Sequence, residues 1–303
     1  MKATARFIWI IFYSITELSN LIIILTMKRN HSILIHSVLL AVIFFAFWSC
    51  KDDANDIVNR NWQLVWADDF NGLAGQSPDP ANWAYDLGTG GNGWGNQELQ
   101  YYTDRPENIA MDGAGNLAIT ARSESFGGSG FTSARIKTQG LFDQTYGRFE
   151  ARIKLPWGPG IWPAFWMLGS DIDDVSWPQC GEIDIMEYRG QQPNLIHGSV
   201  HGPGYSGGAA VTKSFGFTDN RFDVDFHVFA VEWGADYIDY YVDDTLYQRI
   251  TPDDTPGEWV YDHPFFIILN VAVGGNFVGF PTSQTPFPQT MLVDYVKVYK
   301  EAN

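Results

Sequence analysis

Cysteine is nearly missing from this 303-residue chain, which carries only Cys50 and Cys180. A framework of several disulfides is therefore excluded. Basic residues are also scarce, 19 Lys and Arg against 35 Asp and Glu, for a net charge of −16. Phosphate backbones require clustered Lys and Arg, so nucleic acid is excluded as a partner. Beyond the first fifty residues there is no convincing amphipathic helix, no internal repeat and no linker. What the chain does have is aromatic side chains (12 Trp, 14 Tyr, 21 Phe) together with 30 Gly and 15 Pro. Such a balance suits a β-sandwich core, the expected fate of most of these rings, and also suits stacking on the apolar faces of sugars.

From Asn61 onward the apolar pattern has the period of strands. Residues 148–154 alternate without a fault, which directs Phe149, Ala151 and Ile153 inward. Residues 228–233, 237–242 and 245–249 read as strands, the last two joined by a tight turn at Asp243-Asp244. The continuous apolar run 265–273 is expected to be buried on both faces, and an alternating strand over 292–299 closes the chain. Gly-rich loops at 88–95, 127–130 and 202–208 separate these runs. Residues 61–303 are thus expected to form a single all-β sandwich of two antiparallel sheets.

One segment is unlike the rest. In Gly181-Glu182-Ile183-Asp184-Ile185-Met186-Glu187-Tyr188, three carboxylates interrupt an apolar run. Strand side chains alternate with period two, so Glu182 and Asp184 share a face while Glu187 falls on the other. Glu187 joins them only if a β-bulge inserts one residue near Ile185 or Met186, and bulges of this kind collect at active sites. Gathering like charges on one face is costly. Cleavage of glycosidic bonds is a chemistry that uses such a pair, one carboxylate as nucleophile or base and the other as acid. Cys180 stands beside this run, but no His pairs with it at local spacing, and a small buried hydrophobe is the expected role.

The run GEIDIMEYRG at 181–190 resembles the catalytic strand of glycoside hydrolase family sixteen in its bulged form. GNGWGNQELQYYT at 91–103, GIWPAFWMLG at 160–169, HGSVHGPGY at 197–205 and NVAVGGNFVG at 270–279 accompany it in the family's order. Together they resemble the bacterial laminarinase-type endo-β-1,3-glucanases, and the similarity covers residues 62–299. The resemblance implies a β-jelly roll whose concave sheet forms an open cleft for a polysaccharide. It implies Glu182 as nucleophile, Glu187 as general acid and then base of a retaining reaction, and Asp184 as the group between them. Trp162 and Trp166, four apart and so on one strand face, match the platform before the scissile bond. Arg135 matches an Arg that bonds sugar hydroxyls, His201 a His on the leaving-group side, and Asn92 with Trp94 a loop at the cleft edge. At 277 this chain has Phe where many relatives carry Trp, so no stacking role is transferred there.

The resemblance implies no cofactor for catalysis. Many relatives hold a structural calcium on the convex face, for which Asp294, the backbone near Gly113 and a side chain near Asp69 are the matching positions; calcium takes six to eight oxygens. The partner implied is a β-glucan, acted on by a monomer. Within the family a lichenase or a sulfated-galactan hydrolase is the alternative, and outside it a non-catalytic surface glycan-binding protein.

Residues 1–50 read as a targeting segment, with a short tether over 51–60. Lys28 and Arg29 precede an apolar stretch, 38–48, of signal-peptide size, so that Met27 would open a signal of ordinary length. The apolar runs at 7–13 and 21–25 are each too short to span a bilayer. Ser49-Cys50 resembles a bacterial lipoprotein signal in which Cys50 is lipidated after cleavage. Lys51-Asp52-Asp53 resembles the export tag of surface lipoproteins in Bacteroidetes-type bacteria. The expectation is an exported, outer-membrane, surface-exposed lipoprotein that touches the membrane only through its N-terminal lipid.

Overall fold

A computed structural model describes residues 60–302. Cys50, the signal and most of the tether lie outside the described residues. The strands are, in chain order, β1 (Trp62–Asp68), β2 (Ala84–Asp86), β3 (Gln100–Tyr102), β4 (Ile109–Met111), β5 (Leu117–Phe126) and β6 (Ser129–Ser133). There follow β7 (Arg135–Lys137), β8 (Gly147–Lys154), β9 (Ile161–Gly169), β10 (Glu182–Tyr188), β11 (Leu195–His201) and β12 (Val211–Gly216). The chain closes with β13 (His227–Gly234), β14 (Tyr237–Val242), β15 (Thr245–Ile250), β16 (Phe265–Val273) and β17 (Gln289–Glu301). Among the described residues a single short α-helix, α1 (Ile172–Val175), sits between β9 and β10. Among the described residues no helix is long and apolar enough to cross a membrane.

These strands form two sheets. One contains ten strands, running β15-β14-β13-β8-β17-β5-β6-β3, with β1 added on β17 and β4 on β5. The other contains seven in the order β12-β11-β10-β9-β16-β7-β2. Pairing is antiparallel throughout except between β3 and β6, which run parallel and depart from the all-antiparallel expectation. This all-β two-sheet sandwich is the expected fold class. The 127–130 stretch also differs from expectation: it is not an open loop, because β5 and β6 are joined there by a hairpin and Gly130 already belongs to β6.

Alternation decides what each sheet buries. Phe149, Ala151 and Ile153 of β8 are fully buried between the sheets, as the pattern requires. Every residue of β16 is buried, because β16 sits inside the seven-stranded sheet with β9 on one side and β7 on the other. Burying a side chain such as Phe265 or Leu269 stabilises the fold by about 1.5–3 kcal/mol. Trp233 anchors the core: it packs edge-on to Tyr146 and Phe265 and donates its indole N–H to the Tyr261 carbonyl at 2.9 Å. The Asp243-Asp244 turn has φ of 46° and 66°. Left-handed angles at both positions match the twist of the strands they join, and Asp tolerates them.

Candidate active site

The site is built on the outward face of the seven-stranded sheet. In β10 the register against β9 runs Asp184 to Trp166 and then Met186 to Phe165, leaving Ile185 as the extra residue of a bulge. The pairing with β11 shifts over the same residues. Ile183, Ile185 and Met186 all enter the core. The inserted residue restores parity, so Glu182, Asp184 and Glu187 face outward together.

Around them the neighbouring strands supply specific partners. His201, at the end of β11, places Nε2 3.0 Å from Asp184 Oδ2 and 3.7 Å from Glu182 Oε1. That Asp184 oxygen is buried, and no well-aligned hydrogen bond reaches it. On β9, Trp162 donates its indole N–H to Glu187 Oε1 at 3.1 Å, and Trp166 donates to Asn270 Oδ1 at 2.8 Å. Arg135 on β7 lies between the rings of Trp166 and Trp94, with its guanidinium 4.8 and 4.9 Å from their centroids. It is also paired with Asp86 at 2.9 Å. Arg135 thus fixes two tryptophans on one side of the carboxylates, and Asp86 neutralises it.

Electrostatics raise both glutamates. Burial, and then the charge of Asp184, push Glu182 up to about 8. The same two causes hold Glu187 well above the carboxylate range, with Glu182 adding to the effect and the Trp162 bond opposing it. Both carboxyls therefore hold a proton to higher pH than a free carboxylate does. The His201 imidazole is pulled in two directions. Burial lowers it, but the charges of Asp184, Glu182 and Glu187 around it outweigh that and push it up to about 9. Opposing this, the Gly207 amide donates to Nδ1 at 3.0 Å, a bond open only to the neutral ring with its proton on Nε2. Cys180 is fully buried, and desolvation pushes its thiol up to about 12, so it is no nucleophile at neutral pH.

The loop carrying Trp94 packs against this face through glycines. A Cβ on Gly90 would stand 2.6 Å from the Trp94 ring. One on Gly275 would meet the Asn96 carbonyl at 3.0 Å and the Trp162 ring at 3.3 Å. Both positions also have φ in the left-handed region, at +56° and +120°. Asn92 stands exposed at the head of the short turn, and no hydrogen bond among the described residues ties its side chain to the carboxylates.

Four residues at the site carried no assigned role in the sequence. Trp177 donates its indole N–H to Glu182 Oε2 at 2.9 Å while 43% of its surface stays exposed. The only local signal was a Trp-Pro pair five residues before the strand. Glu98 is raised by burial and held by Gln100 at 2.6 Å and Tyr102 at 3.2 Å. Asn270 fixes Trp166. Phe277, given no role from sequence, packs 5.1 Å from Trp162.

The residues expected around calcium are engaged otherwise. Asp294, the irregular residue where β17 shifts register against β8, is paired with Arg152 at 2.6 Å. Asp69 lies 3.3 Å from Lys297 Nζ. Gly113, at φ +79°, packs its turn against Ala74. With both carboxylates neutralised, these residues fit ion pairs better than a calcium site. Among the described residues, one set of three ligand-bearing side chains converges: Glu182, Asp184 and His201, whose ligand atoms lie within 4.8 Å of one another. Its carboxylates are those of the site itself.

A β-sandwich presenting two raised carboxyls, an intervening Asp and indole rings on one outward sheet face has the build of a carbohydrate-cleaving hydrolase. The profile of the glycosyl hydrolases family 16 matches residues 94–297, and the chain belongs to that family. It is 44% identical over 251 residues to a beta-glucanase of Rhodothermus marinus, covering 79% of this chain and 86% of that protein. It is 40% identical to a glucan endo-1,3-beta-glucosidase of Cryptopygus antarcticus, covering 78% of this chain and 91% of that one. The crystal structure of the laminarinase catalytic domain from Thermotoga maritima superposes with a TM-score of 0.76 at 47% identity, covering 80% of this chain and all of that domain.

Proposed function

We propose that this chain is an endo-acting glycoside hydrolase that cleaves β-1,3-glucosidic bonds of laminarin-like glucans with retention. The observation that carries the reading is the bulge in β10, which turns Glu182, Asp184 and Glu187 onto one face, where both glutamates are raised. Glu187 gives its proton to the glycosidic oxygen as the Glu182 carboxylate attacks the anomeric carbon. The bond to the leaving sugar breaks and a glycosyl ester forms on Glu182. Glu187, now ionised, takes a proton from water, which displaces Glu182 and restores the original configuration. Asp184 raises both glutamates, and the indole N–H groups of Trp177 and Trp162 hold one oxygen of each.

Catalysis by this route needs no cofactor. Trp162, Trp166 and Trp94, steadied by Arg135, provide the stacking surface for the glycone, with Asn92 at the rim; His201 stands on the leaving-group side. A calcium ion would have to displace Arg152 from Asp294, and no step depends on one. Lichenase or sulfated-galactan specificity is the alternative within the family. A purely glycan-binding role is disfavoured, because binding alone gives no reason to keep three carboxylates unneutralised. Release of reducing sugar from laminarin, set beside lichenan, agarose and carrageenan, tests the reading; equal or greater release from another polysaccharide would overturn it.

We further propose that the protein is a monomer held at the outer face of the outer membrane by acyl chains on Cys50. The support is sequence alone: a small residue before Cys after an apolar run. Each buried acyl methylene contributes about 0.8 kcal/mol of membrane affinity. Cys50→Ala should move the protein from the membrane to the soluble fraction with its specific activity unchanged. Persistence on the membrane would instead indicate a retained hydrophobic anchor.

A further inference from the structure

Strand β11 carries a second histidine that the carboxylate chemistry leaves unused. His197 lies opposite Glu187 in the β10–β11 register and is 8% exposed. Ser214 Oγ on β12 stands 2.8 Å from its Nδ1, and Phe277 packs edge-on at 5.4 Å. Its Nε2 is buried and has no hydrogen-bond partner. Leaving a buried polar atom unpaired costs about 1–3 kcal/mol, so such an atom calls for an explanation. Arg189 follows Glu187 by two residues, holds its guanidinium 4.1 Å from the Phe277 ring centre, and also has a buried, unpartnered Nε. Burial, with the nearby charge of Arg189, lowers His197 to about 4, so the ring is neutral.

A neutral imidazole has one donor and one acceptor nitrogen. Whichever role Ser214 meets at Nδ1, Nε2 offers the other. A hydroxyl answers either role, whereas an ammonium or a carboxylate answers only one. The surroundings agree. Strands β11 and β12 flank β10 on the side away from β9 and its tryptophans. A glucan lying across the strands from Trp162 over the carboxylates therefore reaches them next. The polar side chains there are hydroxyls, with Thr212 Oγ1 bonded to Ser199 Oγ at 2.9 Å.

We infer that His197 Nε2 and Arg189 Nε bind hydroxyls of the sugar on the leaving-group side of the scissile bond, with Ser214 fixing the imidazole. This rests on the glucanase reading above and makes leaving-group recognition a matter of hydrogen bonds, where the glycone side relies on stacking.

The test compares two substrates in wild type, H197F, H197Q and S214A. One is a laminari-oligosaccharide, which leaves as a sugar; the other is an aryl β-laminaribioside, whose phenolate has no hydroxyls to bind. The ratio of kcat/KM values, oligosaccharide over aryl glycoside, should fall about tenfold in H197F, the size of one lost hydrogen bond. It should recover in part in H197Q, whose amide reaches the same place, and fall less in S214A. An unchanged ratio in H197F, with equal loss on both substrates, would overturn the assignment. If H197F does not fold, S214A decides by the same ratio, and no change there overturns it equally. Inactivity of the wild type on both substrates would instead sink the glucanase reading and the subsite with it.

Discussion

The outward faces of the two sheets each carry a set of three buried or half-buried acids and use them in opposite ways. On the ten-stranded sheet, Glu232 of β13 stands opposite Asp239 of β14 and Arg148 of β8, and Glu150 lies two residues beyond Arg148 on β8. Each acid is met by arginine. Arg148 bridges Glu150 at 2.8 Å and Glu232 at 3.0 Å, Arg249 grips Asp239 through two bonds of 2.6 and 2.7 Å, and Arg60 adds itself to Glu232. On the seven-stranded sheet, Glu182, Asp184 and Glu187 have one histidine and two indole N–H groups among them. Burying acids is thus common to both faces. What separates the two faces is that, among the described residues, no arginine or lysine pairs with Glu182, Asp184 or Glu187, which have only the His201 imidazole beside them. Paired acids hold strands together, whereas Glu182 and Glu187, with no arginine beside them, rise in pKa until they can carry a proton.

The largest test of this contrast removes the acids from the reactive face. Glu182→Gln should lower kcat by about 10⁴-fold or more while leaving laminarin binding intact. Glu187→Ala should lose about 10²–10⁴-fold on substrates that need a general acid, and less on those with good leaving groups. Azide should rescue Glu187→Ala through a β-glycosyl azide. An α-configured azide product would contradict the roles assigned to the two glutamates. The reverse test is made on the structural face. Arg148→Met strips the cation from Glu150 and leaves Glu232 to Arg60 alone, and breaking a buried pair costs about 3–5 kcal/mol. Denaturant unfolding should show that loss, with kcat little changed in the folded fraction. A variant as stable as wild type would show that the network is incidental.

A finer test uses pH. The Asp184 charge raises Glu182 and Glu187 alike, so Asp184→Asn lowers both. The acid limb of kcat/KM follows ionisation of Glu182 and the alkaline limb follows loss of the Glu187 proton. Both limbs should move to lower pH in the variant, beneath a reduced maximum. Limbs that stay in place would mean that burial alone sets the two carboxyls. The smallest effect concerns the remaining acids of the ten-stranded side. With Asp294 on Arg152 and Asp69 near Lys297, a chelator should shift Tm by less than about 2 °C, which at this size is about 1 kcal/mol or less. A larger fall, reversed by added calcium, would show that Asp294 exchanges its arginine for the ion.

Alternation and composition determined a good deal by themselves. Residues 237–242 form the expected strand to the residue, and 265–273 is buried along its whole length, because local periodicity reports which side chains leave water. Parity also exposed Glu187 as the odd carboxylate, and with it the need for a bulge. Motif order supplied the family and pointed to Trp162 and Trp166, which β9 places beside the carboxylate strand. Other features depended on contacts between distant parts of the chain. Nothing near Trp177 in sequence says that its indole would reach Glu182, nor near Arg135 that Asp86 and two rings would enclose it. Asp294 and Arg152 lie 142 positions apart and meet only because β17 lies beside β8. Above all, Glu232 in its strand reads like Glu182 in its own, an acid among apolar neighbours. The sequence determines that each strand has two faces. Only the packing of strands decides whether an acid on such a face finds an arginine or is left to do chemistry, because charge compensation acts across the sheet and not along the chain.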